Sequence, residues 1–170
     1  MPKNRGFSLL EALLSILLLS LLASLAVPAF DNLLQSNRAL VALHSLHGAL
    51  SHARQTAVLT GRPVSVVAHE GDWAKGWALF YDDDNDGQQQ SGEPLLRLQP
   101  PLEGVQIYPD ETSRSYIHYR PQGQAIRPNG AFHAGHFRIC AQHATAHRIV
   151  INRSGRIRHE SAPSASLCPR

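Results

Sequence analysis

The sequence predicts an α+β fold. One long N-terminal helix, its first half of transmembrane character and its second half amphipathic, packs on an antiparallel β-sheet globular domain. Two observations predict it. Residues 7–60 read as a single helix, first as an unbroken apolar run and then with Leu and Ala recurring at three- and four-residue steps. From Pro63 onward the pattern changes to short apolar runs separated by Gly, Pro, Asn and Asp. Composition agrees with a folded chain. Of 170 residues, 43% are hydrophobic and 17% charged, which excludes a charge-rich disordered polypeptide. Two cysteines are too few for a disulfide-dense scaffold.

The stretch Phe7–Phe30 contains one charge, Glu11, and the 19 residues from Ala12 to Phe30 are uncharged. A helix of that length crosses a hydrocarbon core of about 30 Å. Lys3 and Arg5 precede it, so its N-terminus is expected in the cytoplasm and the rest of the chain across the membrane. A secretory signal peptide would share the basic start. The length of the run, the lack of an A-x-A-like site after it and the carboxylate inside it favour an anchor that is retained. Beyond Pro28, the residues Leu33, Leu40, Leu43, Leu46, Leu50, Ala53 and Ala57 form the expected docking stripe. The whole helix would be roughly 80 Å long. Pro28 should kink it or loosen one turn, and Gly61-Arg62-Pro63 should end it. Strands are expected at 64–68, 77–81, 95–98, 105–108, 116–119, 136–141, 148–152 and 157–159. No internal repeat interrupts this order.

Charge is unevenly spread. Residues 1–69 carry +3, residues 70–110 carry −7 and residues 111–170 carry +7, with every basic residue of the last segment an Arg. In that segment Arg148, Arg153, Arg156 and Arg158 fall within eleven residues, with Arg138 before them and Arg170 at the end. Ser154-Gly155 reads as a tight turn, and a strand after it would put Arg156 and Arg158 on one face. Guanidinium forks match phosphate oxygens, so such a patch suits nucleic acid bound through its backbone, with little sequence reading and strong salt dependence. A solvated strand face, or pairing with acidic loops of a neighbouring subunit, accounts for the same residues.

In the acidic middle, Asp82, Asp84, Asp86, Gly87 and Glu93 fit D-x-D-x-D-G-x5-E, the spacing of a calcium-binding loop. The flanks do not suit an EF-hand, since strand-like WALFY precedes the loop and Pro94 follows it. The loop is therefore either a calcium site or a hairpin closed by Asx turns. Ten histidines are many for this length. His44, His47 and His52 lie on the helix and His133 and His136 flank a loop, but their spacing matches no zinc shell, and surface positions are expected for them. No nucleophile elbow or metal-hydrolase helix occurs, so no enzymatic activity is expected and, calcium apart, no cofactor. Cys140 and Cys168 lie in the part expected outside the cytoplasm, where a disulfide is favoured. Closing that 28-residue loop would contribute about 3–4 kcal/mol.

The N-terminal string KNRGFSLLEALLSILLLSLLASLAVPAF resembles the class III signal of type IV pilins and type II secretion pseudopilins. The resemblance implies that a prepilin peptidase cuts after Gly6, that the new terminal residue Phe7 is N-methylated, and that Glu11 and Pro28 occupy the glutamate and proline positions of the mature helix. The chain then divides into a leader at 1–6, a transmembrane and assembly helix at 7–30, an amphipathic helix at 31–60 and a β-rich domain at 61–170. A carboxylate in lipid costs at least a few kcal/mol unless partnered. The resemblance supplies a partner for Glu11, the freed amine of Phe7 on a neighbouring subunit, which would set the register of a filament.

GWALFYDDDNDGQQQSGEPLLRL, then ICAQ, then HRIVINRSGRIRH and a final Cys look like the FimT/GspH group of minor pilins and H-type pseudopilins. In FimT-like pilins of transformable bacteria, a Gly-Arg-x-Arg motif at this place belongs to the DNA-binding surface. Here it stands as Gly155, Arg156, Ile157 and Arg158. Related pilins that do not bind DNA also carry a Ser-Gly-Arg turn. The resemblance implies a minor pilin that is held in the bacterial inner membrane, joins a type IV pilus, and has as partners other pilins, the prepilin peptidase and, on the DNA reading, duplex DNA. The alternatives are an H-type pseudopilin of the type II secretion system and a tip subunit that primes assembly without touching DNA.

Overall fold

The computed structural model describes residues 9–142 and 144–169. The leader, with Gly6, and the terminal Phe7 and Arg170 lie outside the described residues.

Helix α1 is continuous from Leu9 to Thr60, with Pro28 inside it. Its apolar first half is exposed. From Ala39 one face turns inward, burying Ala39, Ala42, Leu43, Leu46, Ala49, Leu50, Ala53 and Ala57. The expected stripe holds at Leu43, Leu46, Leu50, Ala53 and Ala57. Leu33 and Leu40 are corrections, since both are exposed. Leu33 precedes the point where the head begins, and Leu40 sits beside the stripe instead of on it. Alanines at 39, 42 and 49 take the contact, and their small side chains let strands approach the helix closely. Gly61 ends the helix in a left-handed conformation, φ +68°, with its N–H bonded to the Ala57 carbonyl at 3.1 Å.

The strands are β1 (Val64–Ala68), β2 (Trp77–Tyr81), β3 (Leu95–Gln99), β4 (Gln106–Pro109), β5 (Tyr116–Tyr119), β6 (Ala125–Ile126), β7 (Gly135–Cys140), β8 (Ala146–Ile151) and β9 (Ile157–Ala162), followed by a short helix α2 (Ser164–Leu167). All eight expected strands are present with ends shifted by a few residues. β6 and α2 are additions, too short to leave a periodic signal. The expected antiparallel β-structure packed on the helix is present, divided into two sheets. One has the order β3-β2-β1-β5-β6 and the other β4-β7-β8-β9. Pro100-Pro101 separates β3 from β4; prolines lack the N–H a ladder needs, so the chain leaves the first sheet there.

Both sheets pair antiparallel throughout and share one core with α1. Val64, Val66, Leu79, Ile117 and Tyr119 come from the first sheet, and Ile107, Phe137, Ile139, Ile149 and Ile151 from the second. Trp73 bridges them. Its ring lies edge-on to Phe137 at 4.8 Å, and its indole N–H donates to the carbonyls of Ser113 and Arg114 at 3.0 and 3.1 Å. Cys140, at the end of β7, is disulfide-bonded to Cys168 beyond α2, with Cα atoms 6.0 Å apart. The bridge ties the C-terminal tail to the second sheet.

Candidate functional site

The basic residues gather on the outer face of the second sheet and on the turn at its end. Along β7, β8 and β9, Phe137, Ile139, Ile149 and Ile151 face the core, so alternation turns His136, Arg138, Arg148, Val150, Arg158 and Glu160 outward. Register sets Arg138 beside Arg148 and Arg148 beside Glu160, with His136, Val150 and Arg158 side by side in the next row. Arg148 donates from Nε and Nη2 to Glu160 Oε2 at 3.1 and 2.6 Å, and Arg158 Nη1 lies 2.5 Å from Oε1. The hydrogen bond from Arg148 holds the Glu160 carboxyl below the usual carboxylate range. A cleft of about 430 Å³ opens between Arg148, Arg153, Arg158 and His136. Asp110 borders it and lies 3.6 Å from His136.

The turn that links β8 to β9 is closed by Asn152. Its carbonyl accepts the Gly155 N–H at 2.9 Å, and its side-chain oxygen accepts the N–H groups of Ser154 and Arg156 and the Ser154 hydroxyl at 3.1, 2.9 and 2.8 Å. Arg156 is a correction. It belongs to the turn, one residue before β9, and strand alternation does not pair it with Arg158. Arg153 and Arg156 are exposed and form no ion pair among the described residues. Gly155 serves geometry. Its φ is +75°, and a Cβ there would overlap the Gly123 carbonyl oxygen. That carbonyl accepts Arg54 Nε of α1 at 2.9 Å, so the helix supports the turn through the 120–125 loop.

The acidic loop joins β2 to β3. Asp82 is fully buried, with oxygens accepting the Ser65 hydroxyl at 2.5 Å and the amides of Asp86 and Gly87 at 3.2 Å each. His118 Nδ1 lies 3.4 Å away. Burial pushes the Asp82 carboxyl up, but the bonds from His118 and Ser65 and the His118 charge outweigh it and hold the group at about 2. The carboxylate oxygens of Asp82, Asp84 and Asp86 lie within 4.8 Å of one another. Glu93 is not among them; it closes the loop by accepting the amides of Asp83 and Gln90, each at 2.9 Å. The Gln90 side-chain amide donates to Asp84 and Asp86 at 3.1 and 2.9 Å. Sequence reasoning missed that Asp82 is a core residue. Its partners Ser65 and His118 come from β1 and β5, which only the fold brings together.

His44 and His52 are exposed as expected, whereas His133 is a correction. His118, His133 and His147 are buried. His133 bonds Ser113 Oγ at 3.0 Å, and burial lowers it to about 4. Where α1 meets β8 and β9, His47 lies edge-on to His159 at 5.8 Å, and His147 bonds Ser161 Oγ at 2.8 Å. Burial lowers both His47 and His147. Among the described residues the Asp trio is the one group of such side chains whose ligating atoms converge.

A helix long and apolar enough to cross a membrane, with an 18-residue window of mean hydropathy 2.4, runs into a two-sheet head, the architecture of a pilin-like subunit. Residues 1–27 match the prokaryotic N-terminal methylation motif, and residues 42–155 match the family described as type II transport protein GspH. The chain belongs to the GspH family. Two crystal forms of the type IV minor pilin FimU of Pseudomonas aeruginosa share its fold. One is 24% identical over 77% of this chain and 92% of that one, with a TM-score of 0.59; the other is 23% identical over 75% and 95%, with 0.56. The minor pseudopilin EpsH of the Vibrio cholerae type 2 secretion system is 15% identical over 73% and 97%, with a TM-score of 0.49. No curated protein sequence matches the chain. The protein is thus a minor pilin or pseudopilin, a structural subunit and not an enzyme; its apolar N-terminal helix and methylation motif fit an inner-membrane anchor, and its family points to other pilins as partners.

Proposed function

We propose that this protein is a minor pilin of a type IV pilus that binds extracellular duplex DNA without reading its sequence. On this reading the prepilin peptidase cuts between Gly6 and Phe7, Glu11 pairs with the Phe7 amine of a neighbour during assembly, and the head faces the periplasm until the subunit enters the pilus. The observation that carries the DNA reading is the placement of Arg148, Arg153, Arg156 and Arg158 on one turn and the adjoining sheet face, two of them without a carboxylate partner among the described residues. Each phosphate they neutralise releases counterions, so binding should weaken linearly in log salt. In detergent-solubilised full-length protein, Arg156→Gln with Arg158→Gln should abolish a gel shift with duplex DNA. An unchanged shift would remove these arginines from the reading.

A second reading is an H-type pseudopilin of the type II secretion system, supported by the family's description as a type II transport protein. There the arginines would meet acidic loops of neighbouring pseudopilins, and no DNA shift would appear at any salt concentration.

On either reading the loop at 82–93 works without calcium. The loop carboxylates already accept hydrogen bonds from Ser65, the Asp86 and Gly87 amides and Gln90, which hold the loop in shape. The melting temperature should be the same in millimolar calcium and in chelator; a calcium-dependent rise would place a cation on Asp82, Asp84 and Asp86.

A further inference from the structure

The outer face of the second sheet holds a charge arrangement that its own residues do not balance. Arg138 and Arg148 stand directly opposite each other on β7 and β8, and like charges in that position are destabilising. Arg138 has a weak outlet, with Nη1 3.4 Å from the Leu167 carbonyl, while its Nε is buried without a hydrogen-bond partner. Arg158 lies in the next row of the same face. One carboxylate, Glu160, serves two of these three guanidiniums, each through a different oxygen. Its side chain is 35% exposed, so ions from solution reach it. A phosphate diester also offers two oxygens, spaced for the same forks.

Resting on the DNA reading above, we propose that Glu160 is a built-in competitor for phosphate. It holds Arg148 and Arg158 in binding geometry on the free protein, and the DNA backbone must displace it before both guanidiniums are engaged. The outer sheet face, and not the turn alone, is then the DNA surface. Arg153 and Arg156 on the turn make first contact. Arg148 and Arg158 join as Glu160 swings away, and Arg138 lies next in the row. Glu160 so weakens DNA binding, while it relieves the repulsion between Arg148 and Arg158 when no DNA is bound.

The test is Glu160→Gln in the full-length protein, titrated with a labelled duplex over a salt series. The gain expected is about tenfold in affinity near physiological salt, with a slope steeper by about one unit. Adding Arg148→Gln to that variant should return the affinity toward that of the unaltered protein. Glu160→Asp, which keeps the charge but shortens its reach, should show a smaller gain and serves if the glutamine variant fails to fold. If the unaltered protein binds DNA and the folded Glu160 variants bind no more tightly, the competitor role is wrong while the DNA reading stands. If neither the unaltered protein nor the variants bind, both fall.

Discussion

Asp82→Ala should destabilise the head by about 3–5 kcal/mol, the range for removing one partner of a buried charged network. A domain of ordinary stability has only about 5–15 kcal/mol to lose. The loss is large because one carboxylate serves three elements. Without it the Ser65 hydroxyl, the His118 ring and the amides of Asp86 and Gly87 lose a shared acceptor inside the protein. The effect carries a pH signature. The Asp82 carboxyl is lowered from 3.8 to about 2, so its contribution is fully present above pH 4 and disappears as the pH falls toward 2. Urea denaturation followed by circular dichroism should give a much lower midpoint for the variant at pH 7, and little further loss between pH 4 and 2 on its account. A midpoint unchanged at pH 7 would mean that the network does not hold the loop.

Gly6→Ala should be all-or-none. On the processing scheme proposed above, the bond after residue 6 is the one the peptidase cuts, and the variant should accumulate as uncut precursor in the membrane. No subunit with a free Phe7 amine would then exist to meet Glu11 of a neighbour, so none should enter a filament. Comparing the electrophoretic size of the variant with that of the unaltered protein, and probing sheared pili for the head, reads both effects. Normal maturation of the variant would refute cleavage at this bond.

The fold was legible where local pattern determines it. Helix α1 could be read because its apolar run and its 43–46–50–53–57 stripe are long and periodic, and the strands because each apolar run is bounded by turn residues. The pairing of Cys140 with Cys168 needed only a topology argument and the count of two. What escaped depends on distant contacts. Nothing local in QAI, residues 124–126, marks a two-residue strand, and no periodicity tells which strands share a sheet. Asp82 looks like its neighbours Asp83 and Asp84 in sequence, yet it alone of the three is buried, because β1 and β5 flank it with Ser65 and His118. The basic site was legible as composition but not as geometry. Four arginines in eleven residues could be counted, whereas Glu160 between two of them, and Arg156 on the turn instead of the strand, follow from the register of β8 with β9. Gly155 could be read as a turn former. That its lack of a side chain also admits the Gly123 carbonyl is tertiary information.

Everything proposed about membrane, filament and surface requires that the helix beginning near residue 7 remain part of the mature protein. Mass spectrometry of the protein purified from membranes decides this. The expected polypeptide starts at Phe7, carries one added methyl group on its amine and retains all of α1. A mature chain that begins beyond residue 30, released from the membrane, would contradict the account.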